Sequence, residues 1–467
     1  MTSTVTKYPV VLLHGVFGYG KTKPLWNMWS PYWPEQALDK LNNNHFIVQV
    51  GALSSDHDRA CEAFYQLYGG RVDYGDDHSR QAGHNRFGHS FGGTTALELY
   101  QLICSDFFKV GSNHQWVMSL VSIAGPLTGS TVIHLFGLHE LRMVPYSLGH
   151  FIGATLGVWF KLHTQWPVLR HVFDFRMPQW QCGTTFREIV SPYGRINRST
   201  DLAVFNILPR ERMKRNAQLI DMDKTFLVSV VTSSYVTIPR AEIALIGLVL
   251  VFIITAAVGF SRGYAALGTF SIFWSTGTLF GLKQRVQVLD YASIPSLYTL
   301  LLLIRRHVRM LHMIFDGFDR DVWGENDGAV NLHSMLQPWA SAIDRPFEGS
   351  TQRDTESTAS TSSTLSTLSE SMQLDAVPVT GTVDLRSAPR SDEKGLSIQA
   401  ESKIPNLDPT EPANFSQLRR GTWYVHRVNK NHMAGTHFDS DSPALFQRLF
   451  RVMVNHFETT PEGSKPE

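Results

Sequence analysis

The chain has 467 residues, a formal net charge of +1 and 43% hydrophobic residues. That suffices for an α/β enzyme using most of the chain as one domain, and the near-neutral balance leaves no basic patch for a nucleic-acid partner. Three cysteines, Cys61, Cys104 and Cys182, form no disulfide framework and point to a reducing compartment.

Met1 to Lys7 carries no apolar signal-peptide core. Tyr8 to Leu13 is a short apolar run ending at His14-Gly15, which predicts a buried strand and a tight turn. Gly15 to Thr22 then satisfies the phosphate-binding pattern G-x-x-x-x-G-K-[ST]. That chemistry needs Lys21-Thr22 to open a helix whose N-terminus faces the phosphates. Pro24, Pro31 and Pro34, among Trp26, Trp29 and Trp33, oppose such a helix. A nucleotide hydrolase is therefore a distant third reading. His14-Gly15 better suits an oxyanion loop, with the N–H of Val16 paired with that of Phe91.

Phe46 to Val50 predicts a second strand and Arg59 to Tyr68 a helix. Gly88-His89-Ser90-Phe91-Gly92 then fits the nucleophile elbow G-x-S-x-G, a strained strand-to-helix turn that exposes a serine. Thr94 to Leu102 can propagate the helix. The run His78 to Phe87 before it is polar, so no buried strand is predicted ahead of the serine. Trp116 to Ala124 and Thr225 to Thr232 predict two more strands, and Arg210 to Ile220 a helix. Thr131 to Trp166, rich in Leu, Phe, Val and Trp, suits a mobile lid or ordinary core helices. Alternating strands and helices predict an α/β fold with a mostly parallel sheet.

Ile243 to Phe260 carries no charge, and after Ser261-Arg262-Gly263 a second uncharged run extends from Tyr264 to Leu282. Together they predict an apolar membrane hairpin over 243–283, with Arg240, Lys283 and Arg285 placing the catalytic domain on the cytosolic side. A lipid-docking flap or a buried helix pair is the alternative. Residues 349–414, rich in Ser, Thr, Asp, Glu and Pro, predict a disordered linker. Asp441-Ser442-Pro443 opens a closing helix, with Leu445, Phe446, Leu449, Phe450, Met453 and Val454 at helical spacing. The predicted core thus comes in three parts, 1–242, 284–348 and 415–459.

Several stretches carry a family likeness. They include Pro9 to Gly15, Leu53-Ser54-Ser55, Asp58-Arg59-Ala60-Cys61-Glu62-Ala63, Gly69 to Gly75, and Gly83-His84-Asn85-Arg86-Phe87-Gly88. His89 to Gly93, Ser122-Ile123-Ala124-Gly125-Pro126 and Glu325-Asn326-Asp327-Gly328 follow. Together they resemble the zinc-containing triacylglycerol lipases of thermoalkalophilic bacteria and their staphylococcal relatives. The resemblance implies an α/β-hydrolase fold and hydrolysis of lipid esters through an acyl-serine. It implies Ser90 as nucleophile, Asp327 as the acid and His432 as the base, with His426 and His437 competing for the last role. It further implies a structural Zn2+ on Asp58, His78, His84 and Asp201. For the family's Ca2+, Asp439 stands at a ligand position, while Ala434 replaces the acidic ligand two residues after the histidine. A lipid ester and a membrane are the implied partners; no protein partner is.

One departure stands out. In that family a longer stretch, including the strand that carries the serine, separates Arg-Phe-Gly from His-Ser. Here Phe87-Gly88-His89-Ser90 joins them directly. The sequence therefore predicts a missing central strand, a Ser90 held away from its partners by zinc-bound His84, and weak activity. A skipped exon or faulty gene model, or a real impaired variant, would account for it. The second reading is a membrane-anchored hydrolase-like scaffold without turnover.

Overall fold

The computed structural model describes residues 3–69, 84–139, 141–176, 185–191, 193–194, 202–233, 294–311, 314–315, 318–338 and 418–458. The predicted hairpin over 243–283 and linker over 349–414 lie outside them. Among the described residues no helix is long and apolar enough to cross a membrane.

The apolar runs become a parallel sheet. Val10–Leu13 (β1), His45–Ile47 (β2), His84–His89 (β3), Val117–Ile123 (β4), Phe226–Thr232 (β7) and Trp423–Val428 (β8) stand in the order β2-β1-β3-β4-β7-β8. Leu138–His139 (β5) and Arg142–Met143 (β6) form a separate small hairpin. Residues alternate across the sheet, as the two-residue strand period requires. Val11, Leu13, Leu120 and Leu227 pack on Asp56–Tyr68 (α2) and Phe91–Cys104 (α3). Val10, Leu12, Val121 and Val228 face the other way, onto Glu35–Leu41 (α1) and the closing helix Ser442–Val452 through Leu38, Phe446, Leu449 and Phe450.

The expected gap in the sheet is filled. β3 pairs in parallel with β1 through Val10↔Asn85 to Leu13↔Gly88, and with β4 through Asn85↔Ser119 to His89↔Ile123. The prediction of a missing strand is thus corrected. A ladder is built from backbone N–H and C=O groups, which polar residues supply as well as apolar ones, whereas a gap would orphan those of β1 and β4.

The switch in strand order matters for the site. From β1 the chain crosses outward to β2, then returns to β3 on the other side and continues to β4. The two connections diverge at the carboxyl ends of β1 and β3 and leave a crevice there, the usual place for a ligand in such sheets.

Candidate active site

The elbow is built by close approach. A Cβ at Gly88 would collide with the Gly92 carbonyl, and one at Gly92 with the Leu13 carbonyl, so strand, turn and helix can cross only without side chains there. Ser90 takes φ 57° and ψ −130°, a conformation costing about 1–3 kcal/mol. Its N–H donates to the Ile123 carbonyl at 2.7 Å, and its carbonyl accepts from Gly93 N–H at 2.9 Å. The sheet therefore holds the serine in place.

Three side chains from distant segments meet there. Ser90 Oγ lies 2.7 Å from His432 Nε2, and His432 Nδ1 lies 2.8 Å from Asp327 Oδ2. Asp327 is buried and also accepts from Thr232 Oγ1 at 2.5 Å and from the N–H groups of Ala329 and Val330 at 3.0 and 2.9 Å. Burial alone would raise its pKa. The facing His432 charge, with hydrogen bonds from His432, Thr232 and Val330, instead holds it below the usual carboxylate range. An ionised Asp327 keeps the proton on Nδ1 and leaves Nε2 to accept from the serine hydroxyl. Ser90 thus reaches its partners, contrary to the sequence expectation. His426 lies within β8 opposite Val230, away from this series.

The loop after β1 is fixed by buried polar groups that sequence reasoning missed. Arg59 is fully buried and donates to the His14 carbonyl, to the Gly51 carbonyl at 2.7 Å and to Thr95 Oγ1 at 3.1 Å. Asp56, also buried, pairs with Arg212 at 2.6 Å and accepts from the hydroxyls of Thr94 and Thr95. On the other side, Gly15 N–H donates to Tyr32 Oη at 3.0 Å. Tyr32 O–H donates to His89 Nδ1 at 2.7 Å, and His89 Nε2–H to the His432 carbonyl at 2.7 Å. The carbonyl can only accept, which fixes the direction of this chain. Burial and the neighbouring His432 charge lower the His89 pKa to about 3, so the ring is neutral, as the chain requires. His89 is the variable position of the elbow motif, the one hint its sequence offered; nothing flagged Tyr32.

Val16 lines the same cavity as Ser90, and Phe91 is the first residue of α3. No helix follows Lys21-Thr22; the first after β1 starts only at Glu35. Val16, Phe17, Tyr19, Leu25, Trp29 and Phe173 instead wall a cavity of about 500 Å³, with Ser90 and His432 at its base.

Comparison with known proteins fits this geometry. Residues 6–97 match the family described as lipase-like, C-terminal domain. Lipase 2 of Staphylococcus aureus is 30% identical over 192 residues. Over that stretch the chain is similar to the staphylococcal lipases. The match covers 32% of the chain and 28% of that relative, so the chain spans under a third of the curated relatives it matches. Staphylococcus hyicus lipase superposes with TM-score 0.53 at 15% identity, covering 96% of this chain and 95% of that one. EstA of Clostridium botulinum superposes with TM-score 0.54 at 18% identity, covering 97% and 89%. These likenesses show the α/β-hydrolase fold.

Of the four residues the resemblance implies for zinc, Asp58 lies in the first turn of α2 and His84 opens β3. His78 and Asp201 lie outside the described residues. Among the described residues no cluster of three or more His, Cys, Asp or Glu is placed to hold a metal.

Proposed function

We propose that this protein hydrolyses carboxylic esters of lipids through an acyl intermediate on Ser90. One observation carries the reading: the hydrogen-bonded series Ser90, His432, Asp327 opens into an apolar cavity. Ser90 Oγ attacks the ester carbonyl carbon while His432 Nε2 takes its proton. Asp327 stabilises the imidazolium. The N–H groups of Val16 and Phe91 receive the developing oxyanion. His432 then protonates the departing alcohol. Water, deprotonated by the same imidazole, releases the fatty acid and restores Ser90.

The surroundings support a lipid over a small polar ester. Phe17, which lines the cavity, is 51% exposed, and Trp26 and Met28, between the lining residues Leu25 and Trp29 in the chain, are 53% and 78% exposed. Exposed apolar groups of this size commonly mark a lipid or partner surface. The expectation of a weak enzyme rested on an absent strand, and β3 removes that support.

The test is reaction with a fluorophosphonate probe, followed by mass mapping. The expected result is a label on Ser90 that is lost in His432→Ala, with hydrolysis of medium-chain esters faster than of acetyl esters. A folded protein that takes no label is instead a scaffold that binds without turnover.

A further inference from the structure

The loop 429–441 joins β8 to the closing helix and carries His432. Two residues before the histidine, Lys430 Nζ lies 3.1 Å from Asp439 Oδ1 and 2.5 Å from Asp441 Oδ2. Asp439 is buried, and a buried carboxylate needs compensating charge or hydrogen bonds. It has both: Lys430, Asp441 N–H at 3.2 Å on Oδ1, and Ser442 Oγ at 3.4 Å on Oδ2. Ala434, the position of the missing acidic ligand, is a buried methyl group.

These residues do not fit a calcium ion. Calcium takes six to eight oxygen ligands. Here one ligand position is a methyl, and an ammonium already contacts both nearby carboxylates. Any added cation would meet that charge at short range.

We infer that Lys430 is a tethered internal cation that closes the base of the His432 loop, and that this chain is calcium-independent for that reason. Lys430 and Asp439 bracket His432 from both sides, so their contact limits how far the loop can drift. Farther along, the loop is held by His432 N–H on the Asp327 carbonyl at 3.1 Å, by His89 Nε2–H on the His432 carbonyl at 2.7 Å and by His437 N–H on the Tyr32 carbonyl at 2.8 Å; the Lys430 contacts join its two ends. Loss of the tether would misplace Nε2 against Ser90, and small misplacements are costly in rate. Lys430 is thus a positioning residue; it touches no reacting atom. The rate part of the inference rests on His432 as the base.

Two readouts test it. The first is the melting temperature of the full chain in EGTA and with added calcium, which needs no activity. It is expected to be the same in both; a rise with calcium overturns the inference. The second is ester hydrolysis and the rate of Ser90 labelling. Lys430→Met is expected to lower kcat about tenfold with KM little changed, and Lys430→Arg to restore most of the rate. Should Lys430→Met not fold, Asp441→Asn, at an exposed partner, is expected to lower kcat by a smaller factor. A Lys430→Met protein with wild-type kcat, or a wild-type rate that falls in EGTA and returns with calcium, overturns the tether. A wild-type chain that neither labels nor hydrolyses defeats the proposed function, and the melting comparison still decides calcium independence.

Discussion

Two walls of the catalytic crevice are built on opposite principles. One is polar and buried: Asp327, Thr232, His89, Tyr32 and Arg59 lose water and recover every bond within the protein. The other is apolar and exposed. Leu25, Trp26 and Asn27 run through successive left-handed conformations at φ 50°, 55° and 63°, each costing about 1–2 kcal/mol, and the turn holds Trp26 and Met28 into solvent. Its backbone is pinned by Leu25 N–H on the Val172 carbonyl and Trp26 N–H on the His171 carbonyl. The first wall spends structure on orienting three reacting groups. The second accepts strain to present apolar surface, a cost with no return inside the fold. The contrast suggests that chemistry and lipid capture can be disturbed separately.

Removing the charge from the polar wall should have the largest effect. Asp327→Asn keeps the shape but cannot hold the Nδ1 proton or balance an imidazolium. Its kcat is expected to fall about 10³–10⁴-fold with little change in KM. A loss below about tenfold in steady-state assays would show that His432 does not depend on Asp327.

Acid should act next, on the buried histidines. Burial lowers the pKa values of His14 and His89 to about 3, and those of His134 and His333 to about 4. Each folded pKa lies below its unfolded value, so the unfolded chain binds more protons below about pH 6.5. The stability from these rings is complete above that pH and is lost as pH falls toward their folded values. Glu62 acts oppositely: burial raises its pKa to about 7, so its contribution is lost as pH rises through that value. Asp56, its pKa also raised by burial, acts with Glu62; the four histidines outnumber these two carboxyls, and the melting temperature is expected to fall steadily between about pH 6 and pH 4. A flat profile would mean that these rings are not buried neutral.

The smallest effect belongs to the apolar wall. The double substitution Trp26→Ser, Met28→Ser is expected to slow hydrolysis of vesicle-bound esters by up to about tenfold, from lost apolar burial at the lipid surface. A soluble short-chain ester should be cleaved at the wild-type rate. Equal losses on both substrates would place the turn in the chemistry rather than in capture.

Local pattern was enough for much of this protein. The apolar runs at β1, β4 and β7, the helix after Ser90 and the closing helix are legible because periodicity acts within a few residues; the cap expected at Asp441 makes no side-chain hydrogen bond to the helix, its carboxylate pairing with Lys430 instead. G-x-S-x-G names the serine partly for the same reason: the collision at Gly88, with the Gly92 carbonyl, is local, while that at Gly92, with the Leu13 carbonyl, is set by the fold. Other features were decided only by the assembled fold. β3 is a strand because its neighbours on both sides need partners, which a polar sequence does not announce. Tyr32, His89 and Arg59 gain meaning from carbonyls and rings brought near by folding. Lys430 becomes a tether only when the turn before the last helix brings Asp439 and Asp441 against it. Sequence determines what a segment can form by itself; charge pairing, ligand sets and strand partners depend on distances that tertiary packing alone sets.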